Sequence, residues 1–94
     1  MSEGVQPWVL VLAPTAIRAI EEKLPETVSA AVAEFIAGAL LENPHRVGHE
    51  LRYELTGRWS ARRGAYRVLY AIDDRTRTVT VMVIDHRSAV YRRP

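Results

Sequence analysis

The first apolar run, Pro7-Trp8-Val9-Leu10-Val11-Leu12, is short, rich in Val and Leu, and bounded by Gly4 before it and Ala13-Pro14 after it, which predicts a strand. Pro14 suits the first turn of a helix, where its missing amide donor costs nothing. Ile17, Ile20 and Leu24 follow at i, i+3 and i+7, with Arg18, Glu21 and Glu22 on the other side, the pattern of an amphipathic helix. Leu24-Pro25-Glu26 interrupts it, because proline disfavours helical geometry at the residue before it and is welcome where a new helix starts. Val28, Val32, Phe35, Ile36, Ala39 and Leu40 resume the 3.6 period to about Glu42, so the two segments form a helical hairpin. Gly38 costs about 1 kcal/mol against Ala in a helix; it either permits close packing or marks fraying near the helix end. Asn43-Pro44 ends the helix.

Pro44 to Thr56 is polar enough to run over the surface as a connection. Beyond Gly57 the period changes to 2: Arg58 to Arg63 is a strand, Gly64-Ala65 a turn or bulge, and Tyr66 to Ile72 a second strand. Asp73 to Arg77 is a polar hairpin loop, Thr78 to Ile84 a third strand rich in β-branched residues, and Asp85 to Pro94 a polar tail leaving the sheet. The order implies one α+β domain over residues 1–94: an N-terminal strand, a helical hairpin, then a three-stranded antiparallel meander, the helices packed on one face of a mostly antiparallel sheet. Tyr66, Val68, Tyr70 and Ile72 point under the helices, and Arg67, Leu69 and Ala71 point to the open face.

Composition changes this picture in two ways. The chain has no cysteine, which excludes disulfides, thiolate nucleophiles and sulfur-based zinc sites. Charge is divided unevenly along it. Up to Asn43 there are 2 basic residues against 6 acidic ones, and from Pro44 onward 11 Arg against 5 acidic residues. The planar fork of Arg binds phosphate through two parallel hydrogen bonds, so the second half invites a polyanion. The run from Trp8 to Ala13 is too short to span a membrane and follows Glu3 rather than a basic leader, so the expected compartment is the cytoplasm and no membrane partner is expected.

Two groups of residues carry candidate chemistry. Arg58, Trp59, Arg62, Arg63, Tyr66, Arg67 and Tyr70 bring cations and aromatic rings into one hairpin, the components of a nucleic-acid surface; Tyr66 and Tyr70 fit a core role better, and Arg67 a functional one. By alternation Arg58, Ser60 and Arg62 share one face, opposite Trp59, Ala61 and Arg63. At the chain's end His86 and Tyr91 supply two groups that can donate or accept a proton and Arg87 a cation, the set that metal-free RNA cleavage needs. His45 and His49 stand four apart, but Pro44 and Gly48 argue for a loop and no Asp, Glu or Cys converges on them, so no metal and no cofactor is expected. Asp73 and Asp74 fit turn chemistry.

These segments resemble the RelE/ParE toxins of bacterial type II toxin–antitoxin systems, in particular the RelE-like branch. The resemblance is carried by Asn43-Pro44-His45-Arg46-Val47-Gly48, by Leu51 to Leu55 with Gly57, by Ser60 to Asp74, and by His86-Arg87-Ser88-Ala89-Val90-Tyr91-Arg92. It implies a metal-independent endoribonuclease, an mRNA interferase cutting messages in the ribosomal A site, held inactive in a hetero-oligomer with a RelB-like antitoxin. Arg67 then matches the sheet arginine that stabilises the transition state and Tyr91 the terminal tyrosine. His86 and Arg87 lie where relatives place basic residues of the site, and Arg58, Ser60, Arg62 and Arg63 fall on the strand that meets RNA or ribosomal RNA. Some members carry lysines where this chain has Arg58 and Ser60, and His49-Glu50 stands where a Lys-Pro is common. The alternative within the same fold is a ParE-like toxin that binds DNA gyrase and is no enzyme.

Overall fold

A five-stranded sheet in the order β1-β5-β4-β3-β2 organises residues 7–86, the part of the chain that the computed structural model describes. Arg87 and Tyr91 lie outside the described residues. β1 (Val9–Leu12) sits at one edge, parallel to β5 (Thr78–His86), with Val9 opposite Thr78 and Leu12 opposite Val81. The Val9 and Ala13 amides donate to the carbonyls of Arg77 and Val81 at 2.7 and 2.9 Å, closing both ends of the pair.

The helical hairpin has the expected bounds and an unexpected winding. The first helix, α1, is α-helical over Pro14–Arg18 and π-helical over Ala19–Lys23, ending on a bond from the Leu24 amide to the Ala19 carbonyl at 2.9 Å. The second, α2, is α-helical over Glu26–Phe35 and π-helical over Ile36–Leu40. Ala16 and Ala19 from α1, with Val32, Ile36 and Leu40 from α2, pack on Ala61, Val68, Tyr70, Val79, Val81 and Ile84 of the sheet. Burying each large side chain of this set contributes about 1.5–3 kcal/mol. Gly38 is not required by close packing, since a Cβ there would meet nothing within 4 Å.

Two readings of the sequence need correction. The connection from Pro44 to Thr56 is structured: it holds α3 (Pro44–Val47), a short strand β2 (Gly48–Glu50) and a 3-10 turn (Tyr53–Leu55). β2 pairs with β3 (Arg58–Arg63), His49 opposite Ser60, and so adds an outer strand to the meander. Three residues are too few to show an alternation, so only the pairing reveals it. The second correction concerns Asp85 and His86, which do not leave the sheet. They end β5, opposite Arg67 and Tyr66 of β4 (Tyr66–Asp73).

The reason lies in a bulge. Leu69 faces Val83 and Tyr70 faces Val81, so Met82 is an extra residue on β5. Inward-facing positions change from Val79 and Val81 before it to Ile84 and His86 after it, so strict alternation counted from Thr78 assigns the residues beyond Met82 to the wrong faces. Thr15, in the first turn of α1, donates its hydroxyl to the Met82 carbonyl at 2.5 Å, tying the bulge to the helix. At the other end of β4, Gly64 takes φ +63° in the two-residue turn between Arg63 and Tyr66, as the predicted turn requires.

Candidate functional site

The register orders the open face of the sheet into rows. One row runs Arg62 on β3, Arg67 on β4 and Asp85 on β5; the next runs His49, Ser60, Leu69 and Val83; the third places Arg58 opposite Ala71 and Thr80. Rows two residues apart lie about 7 Å from one another along a strand. Arg62 and Arg67 are therefore directly opposed like charges, an arrangement that destabilises a sheet. Nothing in the packing of the core requires it. The Arg62 Nε donates to the Gly64 carbonyl at 3.4 Å, folding that side chain back over the turn.

The predicted site residues divide between the two faces. Arg58, Arg62 and Arg67 share the open face. Ser60 shares it by alternation but is 0% exposed, so its hydroxyl does not meet solvent and it serves in the layer between His49 and Leu69. Arg63 lies on the helix side, in an apolar groove with Thr27, Val28, Ala31, Val32 and Tyr66. His86 also faces the helix side, its ring 5.6 Å from that of Tyr66 in an edge-to-face contact. It lines a cleft of about 320 Å³ with Thr15, Ala19, Lys23, Leu24 and Tyr66. The end of β5 thus presents Asp85 to the Arg67 side and His86 to the other.

Tyr70 is the core residue expected of it. Fully buried, it donates its hydroxyl to the Pro44 carbonyl at 2.7 Å, and burial pushes its phenol up to about 12. Asp73 begins the hairpin loop as turn chemistry predicts. Its Oδ1 accepts the Arg75 and Thr76 amides at 3.0 and 3.2 Å, and the Thr76 amide leads in holding this carboxyl below its usual range.

Several relationships escape a reading of the sequence. His45, on α3, packs edge-on between Trp8 and Trp59 with centroids 5.7 and 5.5 Å away, and its Nε2 lies 2.9 Å from Asp74 Oδ1. The Arg77 guanidinium covers the Trp8 ring at 4.3 Å. These contacts join the start of β1, α3, β3 and the β4–β5 loop at the end of the sheet away from Arg67. Among the described residues, no three His, Asp or Glu side chains are grouped as a metal ion would need, and no helix is long and apolar enough to cross a membrane. Tyr53 adopts φ 60° with 88% of its surface exposed, a conformation costly for an aromatic residue.

Comparison with known proteins agrees with this architecture. A family model described as the ParE toxin of the type II toxin–antitoxin system parDE matches residues 10–91. The chain is 50% identical over 86 residues to Toxin RelE of Mycobacterium tuberculosis, covering 92% of this chain and 88% of that protein. It is 49% identical over 87 residues to Toxin RelG of the same organism, covering 93% and 99%. Among solved structures, the toxin–antitoxin complex RelBE2 from Mycobacterium tuberculosis superposes with a TM-score of 0.82 at 49% identity, covering 87% of this chain and 100% of that one. The isolated E. coli RelE toxin superposes with a TM-score of 0.69 at 22% identity over 89% of this chain and 90% of that one, a likeness of fold.

Proposed function

The chain belongs to the RelE/ParE family of type II toxin–antitoxin toxins, and from that membership we propose that it is a RelE-like endoribonuclease that cuts messenger RNA. The observation that carries the proposal is the Arg62–Arg67 cross-strand pair with Arg58 two rows along the same face. A phosphate lying between the two guanidinium groups would accept charge-assisted hydrogen bonds from both. Arg58 and Arg62 are separated by about 13 Å of strand.

In this reading Arg67 stabilises the charge that builds on the phosphate as a ribose 2′-hydroxyl attacks it, the role preorganised cations fill best. Arg62 and Arg58 hold the neighbouring phosphates or ribosomal RNA. Arg87 and Tyr91 follow the end of β5, the strand that faces Arg67, and supply a further cation and the acid for the leaving oxygen. His86, on the helix side of the same strand end, lies against Tyr66 and contributes to the cleft beside the site. No metal ion is required. The ribosomal A site is the expected location of the message, the cytoplasm the expected compartment, and a RelB-like antitoxin the expected partner. A structural relative is named as a complex with such an antitoxin.

The test is induced expression of the chain and of Arg67→Ala, with new 5′ ends mapped across cellular messages. Cuts within translated regions that vanish in the variant are the expected result. The matching family model is described as a ParE toxin, and the second reading is a ParE-like toxin that binds DNA gyrase and has no nuclease activity. Growth arrest with intact messages and halted replication would establish it.

A further inference from the structure

RNA cleavage of the kind proposed above needs, besides cations, a group to take the proton of the attacking 2′-hydroxyl on the side of the sheet where Arg67 stands. The register supplies the described neighbours of Arg67 on that face: Arg62 across β3, Asp85 across β5, and Ser60, Leu69 and Val83 in the adjoining row. The Arg62 guanidinium carries donors and no acceptor. Ser60 is buried, and Leu69 and Val83 hold no acceptor. His86 projects to the opposite face against Tyr66, and His49 stands on β2, two strands from β4 and one row along. Among the described residues, Asp85 alone is an exposed proton acceptor directly opposite Arg67.

We infer that Asp85 is the general base of this site, an assignment that rests on the ribonuclease reading. Side chains directly opposite one another on paired strands have Cβ atoms about 4.5–5.5 Å apart, so a phosphate held by Arg67 brings its own ribose within reach of the carboxylate. Asp85 Oδ1 accepts the His86 amide at 2.7 Å, which anchors the carboxylate at the strand end and leaves Oδ2 to receive the proton. The two guanidinium groups of the row offset the repulsion between this carboxylate and the phosphate. In the step itself, Oδ2 takes the hydroxyl proton while O2′ forms its bond to phosphorus. The P–O5′ bond breaks with its electron pair on O5′, which takes a proton from water. The products are a 2′,3′-cyclic phosphate and a free 5′-hydroxyl, and Asp85 returns its proton to solvent.

The experiment compares wild-type protein, Asp85→Asn and Asp85→Glu on ribosomes programmed with a short message, under single-turnover conditions. Binding is measured on the same message carrying a 2′-deoxy nucleotide at the cleavage position. Asn keeps the oxygen that accepts the His86 amide and loses the base. Cleavage by Asp85→Asn is expected to fall about 100-fold or more, with binding of the uncleavable message within threefold of wild type. Asp85→Glu should recover part of the activity. Cleavage by Asp85→Asn within threefold of wild type overturns the assignment, as does a loss confined to binding. A wild-type protein that leaves the message intact overturns the ribonuclease reading and this assignment together, whereas equal cutting by wild type and variant overturns the assignment alone.

Discussion

The hydroxyl of Tyr70, on the helix side of β4, donates to the Pro44 carbonyl 2.7 Å away and so ties the central strand to the first turn of α3. Both groups are fully buried. Tyr70→Phe leaves the carbonyl without a donor in a site that water does not reach, and should cost about 1–3 kcal/mol in urea unfolding.

The same burial predicts an alkaline transition. A phenol whose proton is held to about 12 in the folded chain, against about 10 in the unfolded one, contributes stability that is complete below pH 10 and is lost as pH rises toward 12. Unfolding followed by circular dichroism should show a loss of about 2–3 kcal/mol across that window, and Tyr70→Phe should remove this part of the pH dependence.

Gly48 lies where β2 meets β3 and the tip of Tyr70. A Cβ at this position would collide with the Tyr70 hydroxyl and with the Ser60 carbonyl, 2.6 Å away, and the second of these is backbone that cannot swing aside. Gly48→Ala should destabilise the fold by about 1–3 kcal/mol through overpacking. A thermal melt unchanged within a degree would contradict this close approach.

Arg62→Ala should separate stability from binding. Removing one of two opposed guanidinium groups leaves the fold as stable as before or slightly more so. It should weaken RNA or ribosome binding and lower the slope of log affinity against log salt by about 0.7, the value for one single-strand phosphate contact. Titrations at several salt concentrations measure it, and a loss confined to the chemical step would contradict a phosphate-holding role.

Tyr53 pays for a left-handed backbone with a side chain that the fold hardly covers. Tyr53→Gly should therefore raise stability by about 0.5–1 kcal/mol, relief of strain outweighing the added freedom of the unfolded chain. Chemical denaturation of the two proteins side by side tests it.

Periodicity by itself determined the helical hairpin, the meander and the face on which Arg58, Arg62 and Arg67 stand, because helix and strand faces follow from spacing along one chain. The shift from acidic to basic residues after Asn43, and the motifs from Ser60 to Asp74, likewise required no coordinates. Only the tertiary structure decided the remainder. The pairing of Gly48–Glu50 with β3 turned a polar connection into an outer strand, since a three-residue strand has no period to read. The bulge at Met82 shifted the inward face by one residue, and with it Asp85 came to stand opposite Arg67 while His86 turned to Tyr66. The bracket of Trp8, His45 and Trp59 joins residues far apart in the chain, and no local pattern records such a contact. Spacing assigns a side chain to a face of its own strand; which groups meet across strands depends on register, and register is a property of the folded sheet.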